Sequence, residues 1–278
     1  MGSTREEVLV RALVDAGRPD RAPLRRAGQV VGRALDALGF ASRWAPPRTS
    51  VVVPVLDEPR VTEAVASVLE QTLPDLEVVV VDDGSRDPAT LAALAALSAE
   101  PRVVVAHRPW GGPSAARNLG LALARGADFV AFLDADDRWS PLALERLVEA
   151  LDVAPARVVA AWCDATLAQA ARDDEPAPWV QESVDLARLA ASDGLLLTGS
   201  YLVRRPAADA AGPFDEELLR GEDHAWLLQV AAQGELVRVP EKLLEVRRGP
   251  AGQLSTAPHD PGRLADHRAR ALAAARRA

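Results

Sequence analysis

The stretch Val130-Ala131-Phe132-Leu133-Asp134-Ala135-Asp136-Asp137 constrains this chain more than any other. Four apolar residues run straight into three carboxylates spread over four positions. An apolar run without alternation reads as a strand covered on both faces. In open α/β sheets, ligands sit at the C-terminal ends of such strands. Three carboxylates this close repel one another unless a cation or a hydrogen-bond network absorbs the charge. Hard oxygen ligands suit Mg²⁺ or Mn²⁺, and Mg²⁺ typically takes one or two carboxylates together with substrate phosphates. The stretch therefore reads as a metal–diphosphate site. A plainer reading stands beside it: a solvated acidic turn ahead of a helix that begins near Ser140-Pro141.

The surrounding pattern supports a sheet. Apolar strands are predicted over 50–56, 76–81, 102–106 and 128–133, separated by helices over 59–71, 88–98 and 114–125. Strands alternating with helices imply an α/β fold with a mostly parallel sheet and right-handed crossovers. Three of these strands end in acids, at Asp57, at Asp82-Asp83 and at Asp134-Ala135-Asp136-Asp137. Neighbouring strand ends would gather them on one rim. There they could accept hydrogen bonds from a nucleobase imide or from ribose hydroxyls and hold a cation. Gly84 permits a tight backbone turn beside a ligand. Arg117, at the start of a helix, offers a fixed charge and a fork of donors for a phosphate, or a partner for one of the same acids.

The second half is less regular. Strands are expected over 157–163, 195–204 and 235–246, an acidic Pro-containing loop over 172–178, and helices over 225–233 and 263–278. Residues 1–48 read as a separate helical arm, with helical spacing over 6–16 and 24–38, closed by Pro46-Pro47. A net charge of −8 makes nucleic acid a poor partner. One cysteine, Cys163, excludes an internal disulfide, and four scattered histidines give no zinc spacing. No apolar run is long enough to span a membrane and no signal-peptide pattern is present, so a cytoplasmic location is expected.

Beyond chemistry read from residues, an ordered set of motifs resembles family 2 glycosyltransferases. It begins with Val51-Val52-Val53-Pro54-Val55-Leu56-Asp57, Ser67-Val68-Leu69-Glu70-Gln71-Thr72 and Val81-Asp82-Asp83-Gly84-Ser85. It continues through 111–120, with Arg117-Asn118, and Phe132-Leu133-Asp134-Ala135-Asp136-Asp137, and ends with Gly212-Pro213-Phe214-Asp215 and Gly221-Glu222-Asp223. The resemblance implies a GT-A fold over 49–255, with a nucleotide-sugar half at 49–140 and an acceptor half at 141–255. The arm 1–48 and a helical tail at 256–278 are additions to it. It also implies inverting transfer of a sugar from a UDP- or dTDP-sugar to an acceptor hydroxyl of unknown identity, dependent on Mg²⁺ or Mn²⁺.

Carried over by position, the resemblance makes Asp83 the acceptor for a uracil or thymine N–H, with Pro54, Asp57, Asp82 and Gly84 around base and ribose. Arg117, Asp134, Ala135 and Asp136 complete the donor site, with Asp136 or Asp137 nearest the metal. Asp223 becomes the general base, with Glu222 the next candidate. A helix N-terminus favours its charged form, although an Asp there is also what a helix cap requires. Three positions depart from the pattern: Leu56 stands where an aromatic residue is frequent, His224 follows the Glu-Asp pair, and Val246 precedes Arg247-Arg248. Two alternatives remain: a catalytically silent nucleotide-sugar-binding protein, and a sugar nucleotidyltransferase. The latter usually has a Gly-rich basic loop after the first strand, where this chain has Leu56-Asp57-Glu58-Pro59. Both chain ends are Arg-rich, which would suit an anionic membrane surface. Acidic residues interrupt the first arm, however, and its apolar stripe suits burial, so any membrane contact is expected to be peripheral at most.

Overall fold

The computed structural model describes residues 47–124, 126–167, 186–191, 196–218, 220–247 and 260–275. The expected arm over 1–48 lies outside them except for residues 47 and 48, as does the acidic loop over 172–178. The first half alternates as expected. Strands β1 (Thr49–Val55), β2 (Leu76–Asp82), β3 (Val103–His107) and β4 (Phe129–Phe132) are connected by helices α1 (Val61–Leu69), α2 (Pro88–Leu97) and α3 (Pro113–Leu123). These strands lie side by side in the order β3-β2-β1-β4, all parallel. Runs of β-branched residues form them because both faces are covered. Val52, Val79, Val81, Val130 and Phe132 enter one core cluster, and Val51, Val53, Val78, Val80 and Ala131 enter the opposite one.

The remaining strands turn the sheet into a mixed one. β5 (Arg138–Trp139) leads into α4 (Ala143–Val153), β6 (Val158–Leu167), α5 (Leu186–Ala191), β7 (Tyr201–Arg204), α6 (Arg205–Ala211), α7 (Glu222–Ala231), β8 (Glu235–Val246) and α8 (Pro261–Ala275). The full order is β3-β2-β1-β4-β7-β6-β8-β5. β7 runs antiparallel to both β4 and β6, and β5 antiparallel to β8. The expected strand over 195–204 shrinks to Tyr201–Arg204, because Thr198–Ser200 form a 3₁₀ turn. That turn is held by the Ser200 hydroxyl donating to the Leu197 carbonyl at 2.7 Å. The expected helix over 225–233 starts three residues earlier, so Glu222 and Asp223 lie in its first turn.

Helix α8 joins the main core. Leu264 and Ala271 belong to the cluster that also holds Trp226 and Phe214. Its polar face closes on Asp215: Arg263 donates to both carboxylate oxygens at 2.6 and 2.8 Å, and His267 Nε2 lies 2.8 Å from Oδ2. Burial opposes ionisation of Asp215, but these partners outweigh it and hold the carboxyl well below the usual carboxylate range.

Two predictions follow from this packing. A Cβ at Gly120 on α3 would lie 2.2 Å from Val52 Cγ1. Gly120→Ala should therefore cost about 1–3 kcal/mol by overpacking, and Val52→Ala in the same chain should recover part of the loss in a urea melt. The Asp215 clasp contributes stability that is present above the unfolded carboxylate pKa, about 3.9. It is lost as pH falls through the lower native value. Acid titration followed by circular dichroism should show Asp215→Asn already destabilised at neutral pH and less acid-sensitive than the parent below about pH 4.

Candidate active site

β2, β1 and β4 are adjacent, so their acidic C-terminal ends do form one rim. What each acid does there differs. Asp57 adopts φ of +47°, in the left-handed region that Asp tolerates better than most residues. Its Oδ1 accepts from the backbone N–H groups of Arg86 and Asp87 at 2.6 and 2.8 Å, and its own N–H donates to the Ser85 hydroxyl at 3.0 Å. Asp57 thus clasps the turn after β2, beside half-buried Pro54. Asp82 accepts from the Ser85 N–H at 2.9 Å and lies 2.9 Å from His107 Nδ1. Burial works against its charge, but these bonds hold its pKa below the ordinary value.

Asp83 faces the turn between β3 and α3. Its carboxylate accepts from Gly111 N–H at 3.0 Å, from Gly112 N–H at 2.7 Å and from the Arg108 guanidinium. Burial pushes its pKa up against the pull of those donors. A carboxylate offers about four lone-pair sites, so a further N–H donor can be accommodated. Gly84 is required here. It has φ of +87°, and a Cβ would lie 2.9 Å from the Trp110 backbone nitrogen.

Arg117 is a bridge rather than a phosphate arm in this arrangement. Buried in α3, it donates to Asp134 at 2.8 Å and to Glu222 at 2.7 Å. Glu222 comes from α7, so this residue ties the end of β4 to the second half of the chain. Burial pushes the Glu222 carboxyl up while Arg117 opposes it. Next to it, Asp223 accepts from the Thr198 hydroxyl at 2.8 Å and from the His224 N–H at 2.7 Å. Sequence reasoning passed over Thr198, because a lone threonine in an irregular segment carries no pattern.

Asp136 and Asp137 diverge. Asp136 lies 3.7 Å from Arg60. Asp137 accepts from the Arg247 N–H at 3.0 Å, while the Arg247 side chain donates to the Asp136 carbonyl at 2.6 Å. Arg60 and Arg247 were not sequence candidates; contacts 76 and 110 residues away in the chain leave no local signature. Burial, then the charge of Asp134, raises Asp136 to about 6 and Asp137 to about 8. Buried, mutually repelling carboxyl groups gain from an added cation, and their hard oxygens fit a divalent one. Among the described residues no three His, Cys, Asp or Glu side chains form a ready-made cage. Ala135 is buried between the two acids and packs into the core.

The sequence model of glycosyl transferase family 2 matches residues 50–182, which include all three acidic strand ends. Residues 50–182 belong to glycosyl transferase family 2. The chain is 28% identical over 226 residues to the uncharacterized glycosyltransferase EpsJ of Bacillus subtilis, covering 77% of this chain and 65% of that one. It is 46% identical over 99 residues to the succinoglycan biosynthesis protein ExoW of Rhizobium meliloti, covering 34% and 31%. It thus spans less than two thirds of each relative. Among solved structures, S. aureus TarS 1–349 in complex with UDP-GlcNAc superposes with a TM-score of 0.66 at 22% identity, covering 82% of this chain and 66% of that one. The mannosyltransferase PcManGT from Pyrobaculum calidifontis, in complex with GDP-Man and Mn²⁺, superposes with a TM-score of 0.58 at 21% identity, covering 98% and 87%. The fold is GT-A, as the sequence motifs implied.

The bridge carries a prediction. Arg117→Met leaves the Glu222 carboxylate buried without its cation, which should cost about 3–5 kcal/mol. The double variant with Glu222→Gln should recover part of this in denaturant melts, giving a non-additive cycle.

Proposed function

We propose that this protein is an inverting glycosyltransferase. It transfers a sugar from a nucleoside-diphosphate sugar, UDP- or dTDP-linked, to an acceptor hydroxyl. The observation that carries this reading is the Asp134–Arg117–Glu222 bridge, which brings the first turn of α7, with Asp223, against the acidic rim of β1, β2 and β4. The sugar nucleotides named in the neighbouring structures support the donor class.

In this reading Asp83 accepts the imide N–H of the base, and the turns held by Asp57 and Asp82 shape the base and ribose pocket. Asp136, with Asp137 and Asp134 beside it in sequence, would hold Mg²⁺ or Mn²⁺ together with the donor diphosphate. When bound, that ion neutralises the charge of the departing nucleoside diphosphate. Asp223 is the general base. As the acceptor oxygen attacks the anomeric carbon from the face opposite the diphosphate, the new C–O bond forms and the old one breaks. The hydroxyl proton passes to Asp223. The Thr198 hydroxyl and the His224 N–H fix the carboxylate's orientation, and each engages one oxygen only.

The acceptor lies on the α7 side and its identity is set by residues beyond the donor rim. Among the described residues, no helix is long and apolar enough to cross a membrane. A membrane-borne acceptor would therefore be met peripherally by this part of the chain.

Calorimetry with UDP and dTDP in Mn²⁺ should show binding that EDTA weakens, and a screen of sugar nucleotides should release nucleoside diphosphate. Asp136→Ala should lose the metal-dependent part of UDP affinity. Asp223→Asn should keep UDP affinity and lose transfer by about a hundred-fold or more. Binding without any turnover across donors and acceptors would favour the silent sugar-nucleotide binder instead. Normal transfer by Asp223→Asn would move the base role to Glu222.

A further inference from the structure

Trp110 is 63% exposed, whereas Phe129, Phe132, Trp139, Trp162, Tyr201, Phe214 and Trp226, the other described aromatic residues, are all buried. A single exposed apolar residue is unremarkable in itself; its position is what matters. Trp110 sits in the turn between β3 and α3, at the C-terminal rim where ligands of such sheets bind. The turn is held rigidly. Arg108 N–H donates to the Asp82 carbonyl at 2.9 Å, Gly111 and Gly112 donate to Asp83, and the Trp110 backbone nitrogen packs against Gly84. The ring is thus carried between residues whose backbone and side chains grip the Asp83 carboxylate. A base that donates its edge N–H to Asp83 still needs a flat surface for its face. Leu56, at the end of β1, has no ring to offer.

We propose that Trp110 supplies the stacking surface for the nucleobase of the donor, a donor-affinity residue for the transfer reaction. The inference rests on the sugar-nucleotide reading above and adds the group that holds the base's π face. Stacking on an aromatic side chain tolerates any base, so Trp110 would set affinity while Asp83 chooses among bases by its hydrogen bond.

The test is UDP titration in Mn²⁺ followed by tryptophan emission and by calorimetry, on the parent chain, Trp110→Phe and Trp110→Leu. The parent emission should change on saturation. In Trp110→Phe that change should largely vanish while affinity stays within a few-fold, since a ring remains. In Trp110→Leu the change should vanish and affinity should fall about ten-fold or more, with inorganic pyrophosphate inhibition of UDP binding unaltered. Circular dichroism checks that both variants, altered only at an exposed side chain, stay folded. UDP affinity unchanged in Trp110→Leu, with the parent binding normally, would overturn this inference and leave the donor reading standing. A change confined to the acceptor KM would overturn it as well, by placing Trp110 against the acceptor. A parent chain that binds no nucleoside diphosphate would overturn the donor reading first, and this inference with it.

Discussion

The buried guanidinium of Arg117 is the interaction on which the rest of the site depends. The strand ends of the first half carry a surplus of negative charge, and the first turn of α7 adds two more carboxylates to it. Left alone these groups would repel one another in a poorly solvated place. Arg117 lies between them and bonds Asp134 on one side and Glu222 on the other. A delocalised, permanently charged fork suits that role, because it can satisfy two carboxylates at once in fixed geometry. The same contact joins the parallel half of the sheet to the half that carries Asp223.

A second set of arginines does related work around the acidic turn after β4. Arg247 reaches it from the end of β8, and Arg60 from the start of α1. Arg247 holds its backbone and Arg60 lies against the Asp136 carboxylate, while burial leaves the carboxyl groups of Asp136 and Asp137 shifted toward their protonated forms. A turn that is held in shape and carries closely spaced acids offers hard oxygens to a cation. On the far side, Asn118 bonds the backbone of Phe214 in both directions and Ser114 bonds the Asp215 carbonyl. Arg263 and His267 of α8 then hold the Asp215 side chain. The loop leading to Asp223 is therefore anchored from α3 and from α8 together. The C-terminal helix, which reads in sequence as an appendage, is part of the scaffold that holds the segment ahead of Asp223.

The sequence by itself determined the parallel half of the sheet. Uninterrupted β-branched runs can be satisfied only by strands covered on both faces, and acids immediately after them fall on one rim by topology alone. The ordered motifs also pointed to the GT-A fold that the structure has. Tertiary structure alone decided which acids present themselves and which are consumed. Asp57, Asp82 and Asp83 look alike in the sequence, yet the first two engage Ser85, Arg86, Asp87 and His107, and Asp83 engages Arg108, Gly111 and Gly112. Arg117 and Glu222 are 105 residues apart, as the chain runs, and nothing local announces their pairing. Nor does a lone Trp110 in a Gly-Pro turn reveal that it stands exposed beside Gly84. Periodicity records which side chains face a core, because burial acts on each residue separately. Hydrogen-bond partners depend on where distant backbone segments end, and that is settled only once the sheet is assembled.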